Sequence, residues 1–165
     1  MAYFFTSDTH FGHKNIIDFC ERPFKNLKEM DETLIRNWNS VVKENDIVFH
    51  LGDYGWSNKT KIYLNRLNGT IIKIKGNHDS KSYSPIIDMT INLGGKHWYL
   101  IHDPKEAFGE YNIVGHVHKN WKSIRMLEKG RVVGYAINVG VDVRDYRPVS
   151  LKTILKELEI LKKNE

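Results

Sequence analysis

Five short stretches of the chain carry side chains that bind metals or move protons. They are Asp8-Thr9-His10, Gly52-Asp53, Gly76-Asn77-His78-Asp79, His102, and Gly115-His116-Val117-His118. The donors are carboxylates, imidazoles and one amide oxygen, with no thiolate among them. Imidazole mixed with carboxylate suits Mn, Fe, Zn or Ni, whereas Ca and Mg prefer shells made of oxygen. A catalytic cation typically uses about three protein ligands, and this inventory is larger. A shared carboxylate is the natural way to hold two cations roughly 3.5–4 Å apart. The i, i+2 spacing of Asp8/His10 and His116/His118 puts both side chains on one side of an extended segment. Glycines precede Asp53, Asn77 and His116, where they permit tight turns and close backbone approach. With 12 Gly and 8 His in the chain, a single G-H-x-H is a chance event on the order of 0.03. Five such motifs in series are not.

The hydropathy pattern places these motifs where strands give way to loops. Residues 3–6 are aromatic and β-prone and run into Asp8. Residues 47–51 form a compact apolar run ending at Gly52-Asp53, and 70–75 are β-branched and end at Gly76. A hairpin over 89–93 and 97–101, turning at Gly94-Gly95, delivers His102. Residues 111–114 form a further short strand ending at Gly115. In open α/β sheets, ligands bind beyond the carboxyl ends of the strands, so segments a hundred positions apart can reach one rim. Met30, Leu34, Trp38, Val41 and Val42 predict a helix over 30–42. A short helix with Ile62, Leu64 and Leu67 is stopped at Asn68-Gly69. A second hairpin spans 124–127 and 131–135, and Ser150 caps a helix with Leu151, Ile154, Leu155, Leu158 and Leu161 on one face.

The 165 residues suit a single domain, expected over 1–165. The composition, 41% hydrophobic and 27% charged, is that of a globular protein. No apolar run nears the roughly 18–20 residues needed to span a bilayer, so no membrane partner is expected. The N-terminus turns polar at Thr6-Ser7-Asp8 without a basic region, which argues against a signal peptide. Cys20 alone cannot form an intrachain disulfide, and the expected location is cytoplasmic. The net charge of +5 is spread along the chain without a basic block. Nucleic acid is therefore expected only as a substrate, if at all, and the oligomeric state stays open.

Taken in order, Asp-x-His, Gly-Asp, Gly-Asn-His-Asp, a lone His and Gly-His-x-His resemble the calcineurin-like metallophosphoesterase superfamily from Asp8 to about Asp142. Asp-Thr-His-Phe-Gly-His-Lys-Asn-Ile-Ile at 8–17, Arg22-Pro23-Phe24 and Asn138-Val139-Gly140-Val141-Asp142 are similar to its small stand-alone bacterial and phage phosphoesterases. The resemblance implies an α+β/α/β fold: a four-layer α-β-β-α sandwich, two mixed β-sheets packed face to face with helices outside. It also implies a dinuclear centre. Asp8, His10 and His118 would hold one metal, Asn77, His102 and His116 the other, and Asp53 would bridge them. His78 would sit beside the metals without binding either. The protein phosphatases of the superfamily carry Gly-Asp-x-Val-Asp-Arg-Gly and Gly-Asn-His-Glu. Here Gly52-Asp53-Tyr54-Gly55-Trp56 and Asp79 stand instead, which argues against that activity.

The expected function is metal-dependent phosphoester hydrolysis, with a diester favoured over a monoester. Two divalent transition metal ions, Mn²⁺ first and Fe, Ni or Zn as alternatives, would lower the pKa of a bridging water for in-line attack on phosphorus. His78 is the candidate to protonate the leaving oxygen or to hydrogen-bond the phosphate, with Asp79 holding its imidazole. Asn77, His78, His13 and Arg22 are candidates for substrate contact, Arg22 by a two-pronged hydrogen bond. Trp56 and Trp121 flank the site loops and could stack on a nucleobase, a nucleotide being one possible substrate. His50 and His97 read as a core histidine and a strand residue. The rival readings are a phosphomonoesterase and a non-catalytic interaction scaffold of the same fold. The complete set His10, His78, His102, His116 and His118 favours an enzyme.

Overall fold

The computed structural model describes residues 1–55, 60–80 and 84–163. Its strands, in chain order, are β1 (Tyr3–Thr6), β2 (Ile47–His50), β3 (Thr70–Lys73), β4 (Asp88–Leu93), β5 (Lys96–Ile101), β6 (Tyr111–Val114), β7 (Ser123–Glu128), β8 (Arg131–Asn138) and β9 (Val149–Ser150). They form two mixed sheets, ordered β3-β2-β1-β9 and β4-β5-β6-β8-β7. The central strands of each sheet are parallel: β1 with β2, β2 with β3, β5 with β6, and β6 with β8. The edge strands β9, β4 and β7 run antiparallel to their neighbours.

Period-2 alternation sorts the strand residues into layers. Phe5, Phe49, Trp98, Leu100, Ile113 and Ile137 face the space between the sheets and form the main core. Their neighbours Phe4 and Val48 face outward onto α2 (Leu27–Val41), which buries Met30, Leu34, Ile35 and Trp38. The expected periodicity is met, and the helix starts three residues earlier than Met30. Asn26 accounts for this: its side chain accepts from the Glu29 amide at 3.0 Å, and Glu29 reaches back to the Lys25 amide at 2.7 Å, a variant of the capping box. On the second sheet Tyr99, Ile101, Val114 and Ala136 face outward against Ala107, Trp121, Ile124 and Met126.

The helical covering of the sandwich is uneven. Besides α2 the described residues form two short helices, α1 (Ile16–Phe19) and α3 (Thr60–Leu64), and the longer α4 (Leu151–Lys163). Ser150 caps α4 by accepting from the Thr153 amide, and Ile154 and Leu158 join the core between the sheets. Among the described residues, those packed on the outer face of the second sheet, Ala107, Trp121, Ile124 and Met126, lie outside the α-helices. No described helix is long and apolar enough to cross a membrane.

Candidate metal centre

Asp8 follows β1, Asp53 follows β2, Asn77 follows β3, His102 follows β5 and His116 follows β6, all at carboxyl ends of parallel strands. The loops are tied to one another through their backbones. The Asp8 amide donates to Gly52 O at 3.0 Å, His10 to Asp53 O at 3.0 Å, and Gly115 to His102 O at 3.0 Å. Asp8, His10, Asp53, His116 and His118 all have left-handed backbone, with φ of 59°, 51°, 56°, 68° and 45°. Asp, Asn and His tolerate that region best among residues with a side chain, so the chemistry and the backbone ask for the same residue types. Gly76 meets a different demand, because a Cβ there would run into the Asp53 carboxylate and backbone.

Asp53 lies at the middle. Its Oδ2 is 3.6 Å from His10 Nε2 and 3.4 Å from His102 Nε2, and its Oδ1 accepts from the His78 amide at 3.0 Å. His102 Nδ1 stands 2.6 Å from Leu51 O, so Nδ1 is a donor and Nε2 is the nitrogen turned to the site. That nitrogen faces Asn77 Oδ1 at 2.9 Å, and the same oxygen lies 3.1 Å from His116 Nδ1. Each of these contacts can be held by a ring proton or, in its place, by a cation. His10 Nε2 is buried with no hydrogen-bond partner. Ligand atoms of Asp8, His10 and His118 lie within 4.8 Å of one another, and so do those of Asp8, Asp53 and His102. These observations fit residues that hold metal ions.

Burial drives the His10 imidazole down to about 3, so it is neutral and offers its lone pair at physiological pH. Burial alone would raise the Asp53 carboxyl, but its bond to His102 and the charges of His102 and His10 hold it well below the usual range. Burial raises the Asp8 carboxyl, against the pull of His102 and His118. For His102 and His118, burial opposes protonation and is outweighed by acidic neighbours. Asp53 and Asp8 push His102 up to about 9, and Asp142, Cys20 and Asp8 push His118 up to about 10.

The family model of the calcineurin-like phosphoesterase superfamily domain matches residues 1–140. The chain belongs to that superfamily. An uncharacterized protein of Methanocaldococcus jannaschii is 42% identical over 165 residues, covering 93% of this chain and 89% of its own. A protein of unknown function from Aquifex aeolicus superposes with a TM-score of 0.70 at 27% identity, over 94% of this chain and 98% of its own. Vps29 of Chaetomium thermophilum shares the fold alone, with a TM-score of 0.51 at 9% identity over 84% of this chain and 70% of its own. Members of the superfamily typically bind divalent metals, and in this member Asp8, His10, Asp53 and His102 form candidate ligand groups.

Around the centre of this calcineurin-like domain, two residues depart from their sequence-based roles and a third acquires one. Arg22 was expected to meet substrate. Instead it is 4% exposed, and its guanidinium binds both oxygens of Asp142, at 2.8 and 3.0 Å, as well as Thr9 O and Asp8 O. Asp79 was expected to orient His78. Instead its carboxylate accepts from the amides of Asp53, Gly76 and Tyr54 at 2.7, 2.9 and 3.2 Å, shaping the loops that carry Asp53 and Asn77. Asp142 had been given no role. Its Oδ2 accepts from His118 Nδ1 at 2.8 Å, which leaves His118 Nε2 for the site.

His78 is exposed, and its ring meets that of His10 edge-on with centroids 5.7 Å apart. His13 is half-buried, its Nδ1 3.5 Å from His10 Nδ1. Both stand at the mouth of the centre. His50 is fully buried, its Nε2 2.9 Å from Thr9 Oγ1. Because the Thr9 hydroxyl donates to Tyr54 O, His50 Nε2 must be the donor, and its buried Nδ1 has no partner. His97 is an exposed residue of β5 bonded to Asn92 across the hairpin. Trp56 lies outside the described residues.

Proposed function

We propose that the chain is a metal-dependent phosphodiesterase built on a dinuclear centre, with Mn²⁺ the first candidate and Fe, Ni and Zn the alternatives. Asp8, His10 and His118 would hold one ion, Asn77, His102 and His116 the other, and Asp53 would lie between them. The observation that carries this reading is the placement of Asp53 Oδ2 within 3.6 Å of His10 Nε2 on one side and 3.4 Å of His102 Nε2 on the other. Cations bound there lower the pKa of water and offset the charge on phosphate oxygens.

The chain's own groups supply the remainder. His78, its backbone pinned by the bond from its amide to Asp53 Oδ1, keeps its imidazole at the solvent side, where it can protonate a leaving oxygen. His13, also beside His10, can donate to a phosphate oxygen. A diester is favoured over a monoester because Arg22, the candidate for a two-pronged phosphate contact, is committed to Asp142 inside the protein. The test is metal analysis of the purified protein, followed by hydrolysis of an aryl phosphodiester and the matching monoester with added Mn²⁺. Hydrolysis of the diester in preference to the monoester supports the reading. Loaded protein that cleaves neither ester overturns it.

A further inference from the structure

Beside His116 the surface opens into a groove of about 400 Å³, within the roughly 300–1,000 Å³ range of small-molecule sites. One wall is formed by Pro104 and Lys105, from the turn that follows His102. The other is formed by Val117, Trp121 and Ile124, which continue from the His116 loop into β7. We propose that this groove is a subsite for one arm of a phosphodiester, and that the arm is a planar aromatic, nucleoside-like group laid against Trp121. The proposal rests on the phosphodiester reading and adds the substrate class to it.

Four observations support it. The groove begins at His116, whose Nδ1 meets Asn77 Oδ1 at 3.1 Å, so it adjoins the centre where the phosphate would be held. Trp121 is a firm platform: it packs against the outer cluster of Tyr99, Ile101, Val114 and Ala136, and its carbonyl accepts from Asn138 Nδ2 at 2.8 Å. Pro104, Val117 and Ile124 add apolar walls, and every nucleobase presents a face that can stack on such a surface. The rim carries one carboxylate, Asp103, and one ammonium, Lys105. That balance suits a neutral arm with hydroxyl or amino groups to hydrogen-bond, and does not suit a second phosphate.

The same loop lines a smaller hollow of about 250 Å³, closed by Phe19 and Glu21 on its other side. Phe19 therefore serves as the control aromatic. The experiment compares kcat/KM for thymidine 5′-(4-nitrophenyl phosphate) and methyl 4-nitrophenyl phosphate, which share a leaving group and differ only in the other arm. The wild-type protein is expected to prefer the nucleoside ester by at least about tenfold. Trp121→Ala should bring that ratio close to one, and Trp121→Phe should keep most of it. A wild-type ratio near one overturns the proposal, as does a preference that survives in Trp121→Ala and vanishes in Phe19→Ala.

A binding measurement separates this inference from the phosphodiesterase reading. Thymidine 5′-monophosphate should quench the indole emission of the Mn²⁺-loaded wild-type protein, and a large part of that quenching should be missing in Trp121→Phe. If neither ester is hydrolysed but this difference is seen, the activity fails and the subsite stands. If the quenching is absent or equal in the two proteins, the subsite fails.

Discussion

Asp142 grips Arg22 with both oxygens, Oδ1 to Nε at 2.8 Å and Oδ2 to Nη2 at 3.0 Å, with neither side chain exposed to solvent. Its Oδ2 also accepts from His118 Nδ1. One carboxylate thus sets the tautomer of a proposed metal ligand. It also anchors the guanidinium that holds the carbonyls of Asp8 and Thr9. Removing a partner that orients a ligand typically costs about 10- to 100-fold in metal affinity. Asp142→Ala is expected to weaken Mn²⁺ binding on that scale in a calorimetric titration. It should also lower stability by about 3–5 kcal/mol, since Arg22 is left buried and unpaired. Wild-type affinity in a folded Asp142→Ala protein would rule out the orienting role.

His78 lies at the surface, so its removal should spare both fold and metal content. His78→Ala is expected to bind Mn²⁺ as the wild type does and to lose at least about a hundredfold in turnover of an aryl diester. Undiminished turnover in the loaded variant removes His78 from the chemistry.

His50 makes the fold sensitive to acid. Burial lowers its pKa from 6.5 to about 3, so the unfolded chain takes up a proton that the folded one refuses. Stability from this group is complete above pH 6.5 and is lost as pH falls from there toward 3, by up to about 1.4 kcal/mol per pH unit. His50→Gln should therefore show a shallower loss of stability between pH 6 and pH 4 in urea denaturation of metal-free protein. An unchanged slope would mean that His50 is not the group responsible.

Loading the centre should expel protons. Without cations, His102 and His118 hold theirs up to about 9 and 10, and both must surrender a site-facing proton to bind a metal. At pH 7.5 the uptake of Mn²⁺ should release about two protons, and affinity should rise with pH toward 9. Titration in buffers of different ionisation enthalpy measures the number. Zero release would contradict ligation by both residues.

Gly76→Ala places a methyl against the Asp53 carboxylate. Overpacking of this kind costs about 1–3 kcal/mol. Here it should also displace Asp53, so Mn²⁺ affinity is expected to fall together with the melting temperature. A variant that keeps both would show that the two loops can part without harm.

The strands and the rim were legible because short apolar runs ended at Asp8, Asp53, Asn77, His102 and His116, and parallel pairing carries such ends to one side. Asp142 was not legible as a functional group. Its signal was present, because β8 runs on to Asn138 parallel to β6 and so reaches the same rim. Reading 131–135 as the end of a hairpin cut the strand short of that point. Arg22 and Asp79 show a different limit. Nearness in sequence to Asp8 and His78 located them correctly, but whether a side chain points toward solvent or toward backbone amides is decided by loops that are far away in sequence. The helix α1 and the strand β9 are too short to show any periodicity.

The left-handed backbone at Asp8, His10, Asp53, His116 and His118 restricts how this centre can be re-engineered. Exchanging any of them for Glu, Cys or a β-branched residue alters more than the donor atom, because the new residue inherits a twist that only a few residue types adopt without strain. Metal preference is therefore more readily retuned at Asn77, which has no positive φ, than at the five positions where proposed ligand and turn are one residue.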